Sequence, residues 1–215
     1  MSNRDFDVVV YGASGFTGRL VAEYLGQTYG TSERWAMAGR SVDKLAAVRD
    51  EIGAPADIPL LAADASNPDA LRALVKSTHC IATTVGPYQL YGSDLVQLCA
   101  EEGTHYVDLC GEPGWMHDMI AQHNVTAKAS GARIVFSCGF DSIPFDLGVY
   151  FLQQQAIKQF AAPLSRVRGR VRAMVGEFSG GTAASLQATM AAVGERPELV
   201  AVLTNPFALA DGFSG

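Results

Sequence analysis

The sequence predicts an α/β protein whose core is a doubly wound, mostly parallel β-sheet. Three observations predict it: short apolar runs alternate with segments of helical periodicity, a glycine-rich turn follows the first run, and the composition suits a folded core. Of the 215 residues, 48% are hydrophobic and 18% are charged, and the net charge is −6. The acidic pI near 5.1 argues against a nucleic-acid partner, because nucleic-acid binding requires a basic face.

The predicted elements alternate regularly along the first two thirds of the chain. Residues 8–11, Val-Val-Val-Tyr, are typical of a strand buried on both faces, and the apolar spacing over residues 17–29 is that of a helix. Further strands are predicted at 35–38, 59–62, 80–85, 106–109 and 133–137, and further helices at 42–52, 68–75, 93–102 and 115–130. Such alternation implies right-handed crossovers and helices on both faces of the sheet.

The sequence pattern changes after residue 139. A helix is predicted from about Pro144, which suits a first helical turn, to about residue 160. Residues 166–175 alternate arginine with small or apolar residues, which predicts a strand with one basic face, and residues 182–193 are predicted to form a helix. We therefore place a domain boundary near residues 145–160.

A glycine motif joins the first strand to the first helix. Its sequence is Gly12-Ala13-Ser14-Gly15-Phe16-Thr17-Gly18. Glycines at this spacing allow a tight turn, a close approach of a pyrophosphate and close packing of helix on strand, and the helix N-terminus attracts the phosphates. We predict cofactor contacts from Gly12, Ser14, Gly15, Phe16, Thr17 and Gly18. The alternative is a glycine-rich turn without a ligand.

The end of the second strand indicates which dinucleotide binds. NAD-binding domains place a carboxylate there for the ribose 2′-hydroxyl, whereas NADP-binding domains place an arginine for the 2′-phosphate. Here the strand is followed by Arg40 and Ser41, with Lys44 one turn further on. These three residues predict NADP(H) as the cofactor. The alternative is that Arg40 is a solvated surface charge.

Two later strand ends complete the predicted cofactor site. Asp64 follows the third strand and is predicted to contact the adenine amino group, or equally, Asp64 or Ser66 caps the next helix. The residues after the fourth strand are predicted to pass the nicotinamide ribose; they are Val85, Gly86, Pro87 and Tyr88.

Tyr88 and Asp141 are the candidate catalytic residues. Each follows a strand, so both are expected on the cofactor side of the sheet, where a proton or hydrogen bond is needed. The alternatives are ring packing over the nicotinamide ribose for Tyr88 and capping of the following helix for Asp141. Glu112 either reaches the cofactor pocket or is a first-turn helix charge before Pro113.

Other chemistries find less support in the sequence. Cys110 and Cys138 lie at strand ends but have no histidine near them in sequence, so they are interpreted as buried fillers rather than nucleophiles. The four histidines lack metal-ligand spacing, and no metal site is predicted. No tyrosine has a lysine four residues later, so the Tyr-x-x-x-Lys mechanism of short-chain dehydrogenases is unsupported.

Several motifs resemble the saccharopine dehydrogenase-like oxidoreductases, in particular the bacterial trans-acting enoyl reductases. They are YGASGFTG at 11–18, AGRS at 38–41, TVGPY at 84–88, YVDLCGE at 106–112 and CGFDSIP at 138–144. The resemblance implies an NADP-binding Rossmann domain at 1–150 and the start of a substrate or dimerisation domain at 151–215, of α+β type. Because members of that group are longer, we expect the second domain to be truncated.

The resemblance also implies a function and partners. It implies an NADP-dependent oxidoreductase that transfers hydride from NADPH to a lipid-linked or carboxylated substrate, a small molecule or an acyl group; the alternative is a non-catalytic NADP(H)-binding module. A homodimer is a further expectation. Arg166, Arg168, Arg170 and Arg172 form either a solvated face or a patch for an anionic substrate, an acyl carrier or a membrane surface. The charged N-terminus and unpatterned cysteines predict a cytoplasmic location.

Overall fold

The computed structural model describes residues 4–176 and 179–210. Residues 1–3 of the predicted first domain, and 177–178 and 211–215 of the second, lie outside the described residues. The strands are β1 (Phe6–Tyr11), β2 (Trp35–Gly39), β3 (Leu60–Ala62), β4 (Thr78–Thr83), β5 (His105–Val107) and β6 (Ile134–Val135). The helices are α1 (Phe16–Tyr29), α2 (Val42–Glu51), α3 (Pro68–Ser77), α4 (Tyr88–Tyr91), α5 (Ser93–Glu102), α6 (Pro113–Ser130), α7 (Ile143–Phe160), α8 (Gly180–Glu195) and α9 (Leu199–Thr204).

The six strands form one parallel sheet in the order β3-β2-β1-β4-β5-β6. The doubly wound sheet predicted from the sequence is therefore confirmed. The strand order reverses between β1 and β4, where Val9 pairs with Ala36 on one side and with Ile81 on the other. In such sheets ligands bind beyond the carboxyl ends of the strands at this reversal.

The consecutive apolar residues of β1 contribute to both faces of the sheet. Val9 and Tyr11 belong to one buried cluster, with Leu95 and Tyr106, whereas Val10 belongs to the other. Side chains alternate between faces along a strand, so an uninterrupted apolar run is what a strand covered on both sides requires. These two layers hold the carboxyl end of β1 in place for the loop that follows.

Local signals determine where several helices begin. The Asn67 side chain accepts a hydrogen bond from the backbone nitrogen of Ala70 at 3.1 Å, and Pro68 occupies the first turn of α3. The suggestion that Asp64 or Ser66 caps α3 is therefore wrong. Asp64 instead accepts hydrogen bonds from the nitrogen and hydroxyl of Ser66, at 2.9 and 2.7 Å.

The basic strand predicted at residues 166–175 is wrong. These residues form no regular structure, and Arg166, Arg168, Arg170 and Arg172 are exposed. A strand needs a neighbouring strand to satisfy its backbone groups. None of the six strands in the described residues pairs with this segment, and alternation alone does not supply such a partner.

The last three helices are α7, α8 and α9. α7 has Pro144 in its first turn as predicted, and the expected boundary at residue 150 lies inside this helix. α8 and α9 pack on α6: Leu199 is buried against Gly114, and the guanidinium of Arg196 pairs with the Asp118 carboxylate at 2.7 Å. α4 and α9 were not predicted, because four and six residues are too few to show helical periodicity.

No helix in residues 4–176 and 179–210 is long and apolar enough to cross a bilayer.

Candidate nucleotide-binding site

The glycine loop (residues 12–15) leaves β1 at the strand-order reversal. Gly12 has a φ of +89°, in the region that favours glycine, and a Cβ there would lie 2.7 Å from Cγ2 of Val85. The nitrogen of Gly15 donates to the carbonyl oxygen of Gly12 at 2.9 Å and closes a tight turn. A Cβ at Gly18 would lie 2.1 Å from that same oxygen, so α1 can pack this closely only with glycine at residue 18.

This geometry opens the N-terminus of α1 to a ligand. Gly15 is the N-cap residue without a side chain, and Ser14, Gly15 and Phe16 are exposed. The first backbone N–H groups of a helix have no intrahelical acceptor and attract anions. The first turn of α1 contains no acidic side chain that would oppose them. The cradle fits the pyrophosphate of a dinucleotide, and Thr17 lies half-buried in the same turn.

The tip of β2 has a cation and no carboxylate. Gly39 is buried, Arg40 is exposed, and the Ser41 hydroxyl caps α2 by accepting from the nitrogen of Lys44 at 3.3 Å. The Ser41 oxygen therefore already accepts one bond, while its hydroxyl hydrogen can still be donated. Arg40 and Lys44 are both exposed at this turn. These residues fit a 2′-phosphate better than a free 2′-hydroxyl.

Asp64 lies close enough to Arg40 for their charges to interact. Hydrogen bonds from Ser66 lower the pKa of the Asp64 carboxyl, and the positive charge of Arg40 lowers it further. Tyr11 lies beside them, with its hydroxyl 3.4 Å from the carbonyl oxygen of Ala63. Burial raises the pKa of Tyr11 to about 12, and the charge of Asp64 adds to that rise. The structure thus brings Arg40 and Asp64 to the same edge of the sheet, as predicted.

The β4 loop (residues 84–87) runs beside the glycine loop. The Thr84 nitrogen donates to the carbonyl oxygen of Tyr11 at 2.9 Å, and its hydroxyl lies 3.3 Å from the Tyr11 and Gly12 carbonyl oxygens. The Gly86–Pro87 peptide bond is cis, and Gly86 is exposed. The predicted nicotinamide segment therefore lies at the strand-order reversal, next to the predicted pyrophosphate cradle.

Tyr88 is buried, with only 4% of its surface exposed. Its hydroxyl donates to the carbonyl oxygen of Thr83 at 3.3 Å and accepts from the nitrogen of Leu109 at 3.4 Å, and its ring lies 5.7 Å from that of Trp115. Burial raises the pKa of Tyr88, and the charge of Asp108 raises it further. A hydroxyl bonded to the backbone of the core is poorly placed to donate a proton to substrate, which argues against the catalytic role predicted for Tyr88.

Asp141 lies in the turn between β6 and α7. It is exposed. The N-cap of α7 is Ser142, with no side-chain capping bond, so the capping interpretation of Asp141 is wrong. The Asp141 carboxylate is therefore left available at the carboxyl-end side of the sheet, where a substrate would lie.

A buried polar network lies beneath this edge of the sheet. Asp108, 3% exposed, accepts from the hydroxyl of Tyr106 at 2.8 Å and from the nitrogens of Cys110 and Ser137 at 3.0 and 2.8 Å. Burial raises the pKa of Asp108 despite these bonds. Burial likewise raises the pKa of the Cys110 and Cys138 thiols, which argues against a nucleophilic role for either. Cys110 is buried as predicted, whereas Cys138 is only half-buried.

Glu112 is not a first-turn charge of α6, the simpler of its two predicted roles. It is 1% exposed and is the N-cap residue of α6, but its carboxylate makes no bond to that helix. Its two oxygens accept from the nitrogens of Tyr88 and Gln89, both at 2.9 Å, and from the hydroxyl of Ser185 at 2.7 Å. Sequence reasoning missed this bridge. The one available signal was a carboxylate between Gly111 and Pro113 at a strand end.

Together, the strand order, the glycine loop and the cationic tip of β2 define a dinucleotide-binding domain of the Rossmann type. Comparison with known families agrees. The model of the saccharopine dehydrogenase NADP-binding domain matches residues 8–135. The chain belongs to this family, and its cofactor is NADP(H).

Individual relatives extend the similarity beyond residue 135. A protein of Mycobacterium tuberculosis strain H37Rv is 44% identical over 207 residues, covering 96% of this chain and 49% of its own length. The trans-acting enoyl reductase of Mycobacterium leprae is 42% identical over 208 residues, covering 96% of this chain and 50% of its own. The chain therefore spans about half the length of the curated relatives it matches.

Solved structures with a similar backbone are more distant in sequence. Saccharopine dehydrogenase (L-Glu forming) from Saccharomyces cerevisiae superposes with a TM-score of 0.49 at 14% identity, over 73% of this chain and 31% of that one. Triphenylmethane reductase from Citrobacter sp., complexed with NADP(H), gives 0.48 at 16% identity, over 70% of this chain and 56% of that one.

Proposed function

We propose that this chain binds NADPH and serves an enoyl reductase that reduces a carbon–carbon double bond in an acyl or lipid-linked substrate. The observation that supports this most is the pairing of the glycine cradle with an exposed Arg40 at the tip of β2. The names of relatives at 40–44% identity supply the reaction class. Their greater length makes the activity of the whole protein part of the proposal.

The glycine loop and the tip of β2 would hold the two phosphate-bearing ends of the cofactor's adenosine half. The free N–H groups at the start of α1 would bind the pyrophosphate, with Ser14 and Thr17 offering hydroxyls beside them. Arg40, Ser41 and Lys44 would bind the 2′-phosphate, and Asp64 would accept from the adenine amino group. The bound cofactor supplies a hydride, so these residues chiefly determine its position.

The β4 loop would hold the nicotinamide end. Val85, Gly86 and Pro87 present backbone and small side chains beside the glycine loop, and buried Tyr88 fixes where this segment ends. We therefore assign Tyr88 a positioning role. Hydride addition to one alkene carbon must be matched by a proton on the other, and we propose Asp141 as the residue that relays this proton from solvent.

A non-catalytic NADP(H)-binding module is the second candidate. The inward hydrogen bonds of the Tyr88 hydroxyl favour it, because they leave the described residues with few groups suited to proton transfer. The two candidates share the cofactor site and differ only in turnover.

NADPH oxidation, followed at 340 nm with an enoyl thioester such as crotonyl-coenzyme A, separates the two candidates. A reductase consumes NADPH only when the thioester is present, and Asp141→Asn lowers kcat while leaving the NADPH dissociation constant unchanged. Asp146→Asn, in the first turn of α7, serves as the matched control and should retain the wild-type kcat. NADPH binding without turnover would instead support the binding module.

The second part of the chain supports further, less specific proposals. We propose the division into a cofactor-binding domain at 1–150 and the start of a substrate or dimerisation region at 151–215, within a cytoplasmic protein.

Many apolar side chains of α7 are exposed, including Tyr150 at 62%, Phe151 at 60% and Phe160 at 63%. Such a surface suits contact with a second copy or an acyl partner, and the exposed arginines of 166–172 would suit an acyl carrier or an anionic membrane surface. Light scattering, and co-sedimentation with anionic vesicles, test these contacts.

A further inference from the structure

The Glu112 carboxylate connects two segments that are far apart in sequence. Two of its hydrogen-bond donors are the nitrogens of Tyr88 and Gln89, the first two residues of α4. The third is the hydroxyl of Ser185, in the middle of α8. A carboxylate that is 1% exposed requires such donors, since an unpaired buried charge is costly. The three donors therefore hold the Glu112 carboxylate between α4 and α8.

The position of the bridge relates it to the cofactor site. The β4 loop is attached at its start by Thr84, whose nitrogen donates to the carbonyl oxygen of Tyr11. Its other end leads directly into the two N–H groups that Glu112 accepts from. The segment between these attachments is Val85-Gly86-Pro87, the part assigned to the nicotinamide end. Glu112 is therefore the downstream attachment of the nicotinamide segment.

The bridge is separate from the adenosine half of the site. The glycine loop and the tip of β2 are held by other contacts: the nitrogens of Gly12 and Ala13 donate to the carbonyl oxygen of Ala38, and Ser41 caps α2. None of the donors to the Glu112 carboxylate lies in these segments. Loss of the carboxylate is thus expected to displace one end of the cofactor site and leave the other in place.

α8 contacts the same short helix by a second route. The side-chain amide of Gln89 lies 3.5 Å from the Thr189 hydroxyl, one turn beyond Ser185. A small cavity of about 20 Å³ lies beside this contact, and Gln89, Glu112 and Thr189 are among the residues that line it. α8 therefore contacts the end of the β4 loop through Glu112 and through Gln89.

We propose that Glu112 is a positioning residue that holds the β4 loop in place for the nicotinamide end of NADPH, and that Ser185 couples this position to α8. The inference rests on the proposed function. It assigns to α8 an effect on the cofactor: movement of α8 changes the fit of the nicotinamide and does not change the fit of the adenosine.

Two ligands separate these effects. NADPH occupies the whole site, whereas 2′,5′-ADP has the adenosine and the 2′-phosphate but no nicotinamide. Glu112→Gln keeps the side-chain size but presents an amide NH₂ to a backbone N–H, so it should weaken NADPH binding by about tenfold. The 2′,5′-ADP dissociation constant should stay within about twofold of wild type, since none of its expected contacts changes.

Ser185→Ala provides a second variant, because Ser185 is half-buried and its loss leaves both backbone bonds to Glu112 intact. It should weaken NADPH binding by about threefold and leave 2′,5′-ADP unaffected. Glu101→Gln, which removes an exposed carboxylate on α5, is the matched control and should bind both ligands as wild type does.

Isothermal titration calorimetry on the wild type and the three variants gives a clear decision. A selective loss of NADPH affinity in Glu112→Gln and Ser185→Ala supports the proposal. Unchanged NADPH affinity in both, or equal weakening of both ligands, overturns it while the proposed function stands. A wild type that binds neither ligand overturns the proposed function and this inference with it.

Discussion

The carbonyl oxygen of Gly12 occupies the position that a side chain at Gly18 would need. A Cβ on residue 18 would lie 2.1 Å from that oxygen and 2.7 Å from its carbon. Gly18 is also among the buried residues of α1. This contact sets the distance between α1 and the end of β1, and so sets where the helix N-terminus presents its free N–H groups.

Gly18→Ala should therefore lower both stability and cofactor affinity. The added methyl must push α1 away from the Gly12 carbonyl, an overpacking that costs about 1–3 kcal/mol of the free energy of unfolding. Urea denaturation and NADPH titration measure the two effects. Gly148→Ala is the matched control: a Cβ there meets nothing within 4 Å, and Ala in a helix should stabilise by about 0.5–1 kcal/mol. Equal stability of the two variants would show that the contact is not as close as described.

Tyr11 should make the protein less stable at alkaline pH. Burial raises its pKa from 10.0 to about 12, so the unfolded chain loses the phenolic proton before the folded protein does. The resulting stabilisation is complete below pH 10 and is lost as the pH rises toward 12. Burial also raises the pKa of Tyr106 and of Tyr88, so the contribution of Tyr11 to the pH dependence must be isolated with a variant.

The Tyr11→Phe variant isolates the contribution of Tyr11 to stability at alkaline pH. The stability advantage of the wild type over this variant should shrink by about 1 kcal/mol between pH 9 and 11, measured by urea denaturation at each pH. An advantage that stays constant over this range would mean that Tyr11 titrates alike in both states.

The contact between Arg196 and Asp118 should hold α8 and α9 on α6 in a pH-dependent way. The hydrogen bond from Arg196 lowers the pKa of Asp118 below its usual 3.8. The stabilisation is therefore present above pH 3.8 and is lost as the pH falls through the lower, folded-state pKa. Because the Arg196 side chain is half-exposed, the effect should be small and weakened by salt.

Arg196→Gln tests this contact. Its melting temperature should be slightly below that of wild type at pH 7, and the difference should vanish at high salt and near pH 2. Arg133→Gln, an exposed change near β6, controls for the loss of one positive charge. A difference that persists unchanged at pH 2 would show that the ion pair is not its cause.

Local sequence signals predicted the geometry of the first part of the candidate site. Gly12, Gly15 and Gly18 act through backbone geometry within seven residues, and Arg40 follows its strand directly, so short-range patterns suffice. The alternation of apolar runs predicted all six strands of the described residues, because a doubly covered parallel sheet leaves a continuous apolar run in each central strand. Both signals come from residues that are neighbours in the chain.

The side-chain contacts that Glu112 and Tyr88 make with distant segments were not predicted. Glu112 meets Ser185 across 73 positions, and nothing near either residue indicates the other. The Tyr88 hydroxyl accepts from the nitrogen of Leu109 and its ring packs on Trp115, both of which lie more than 20 positions further along the chain. The arginine alternation at 166–175 shows the converse: a strand-like pattern forms no strand unless another segment pairs with it.

The difference in affinity between NADPH and NADH tests most directly whether Arg40 makes the site selective for NADPH. Isothermal titration calorimetry should show that the wild type binds NADPH more tightly than NADH, because only NADPH has the 2′-phosphate that we propose Arg40 binds. Arg40→Glu should weaken NADPH at least about tenfold and change NADH little, whereas Lys158→Glu, an equal charge change on α7, should leave the preference intact. Equal affinity for the two cofactors in the wild type, or an unchanged preference in Arg40→Glu, would contradict the account.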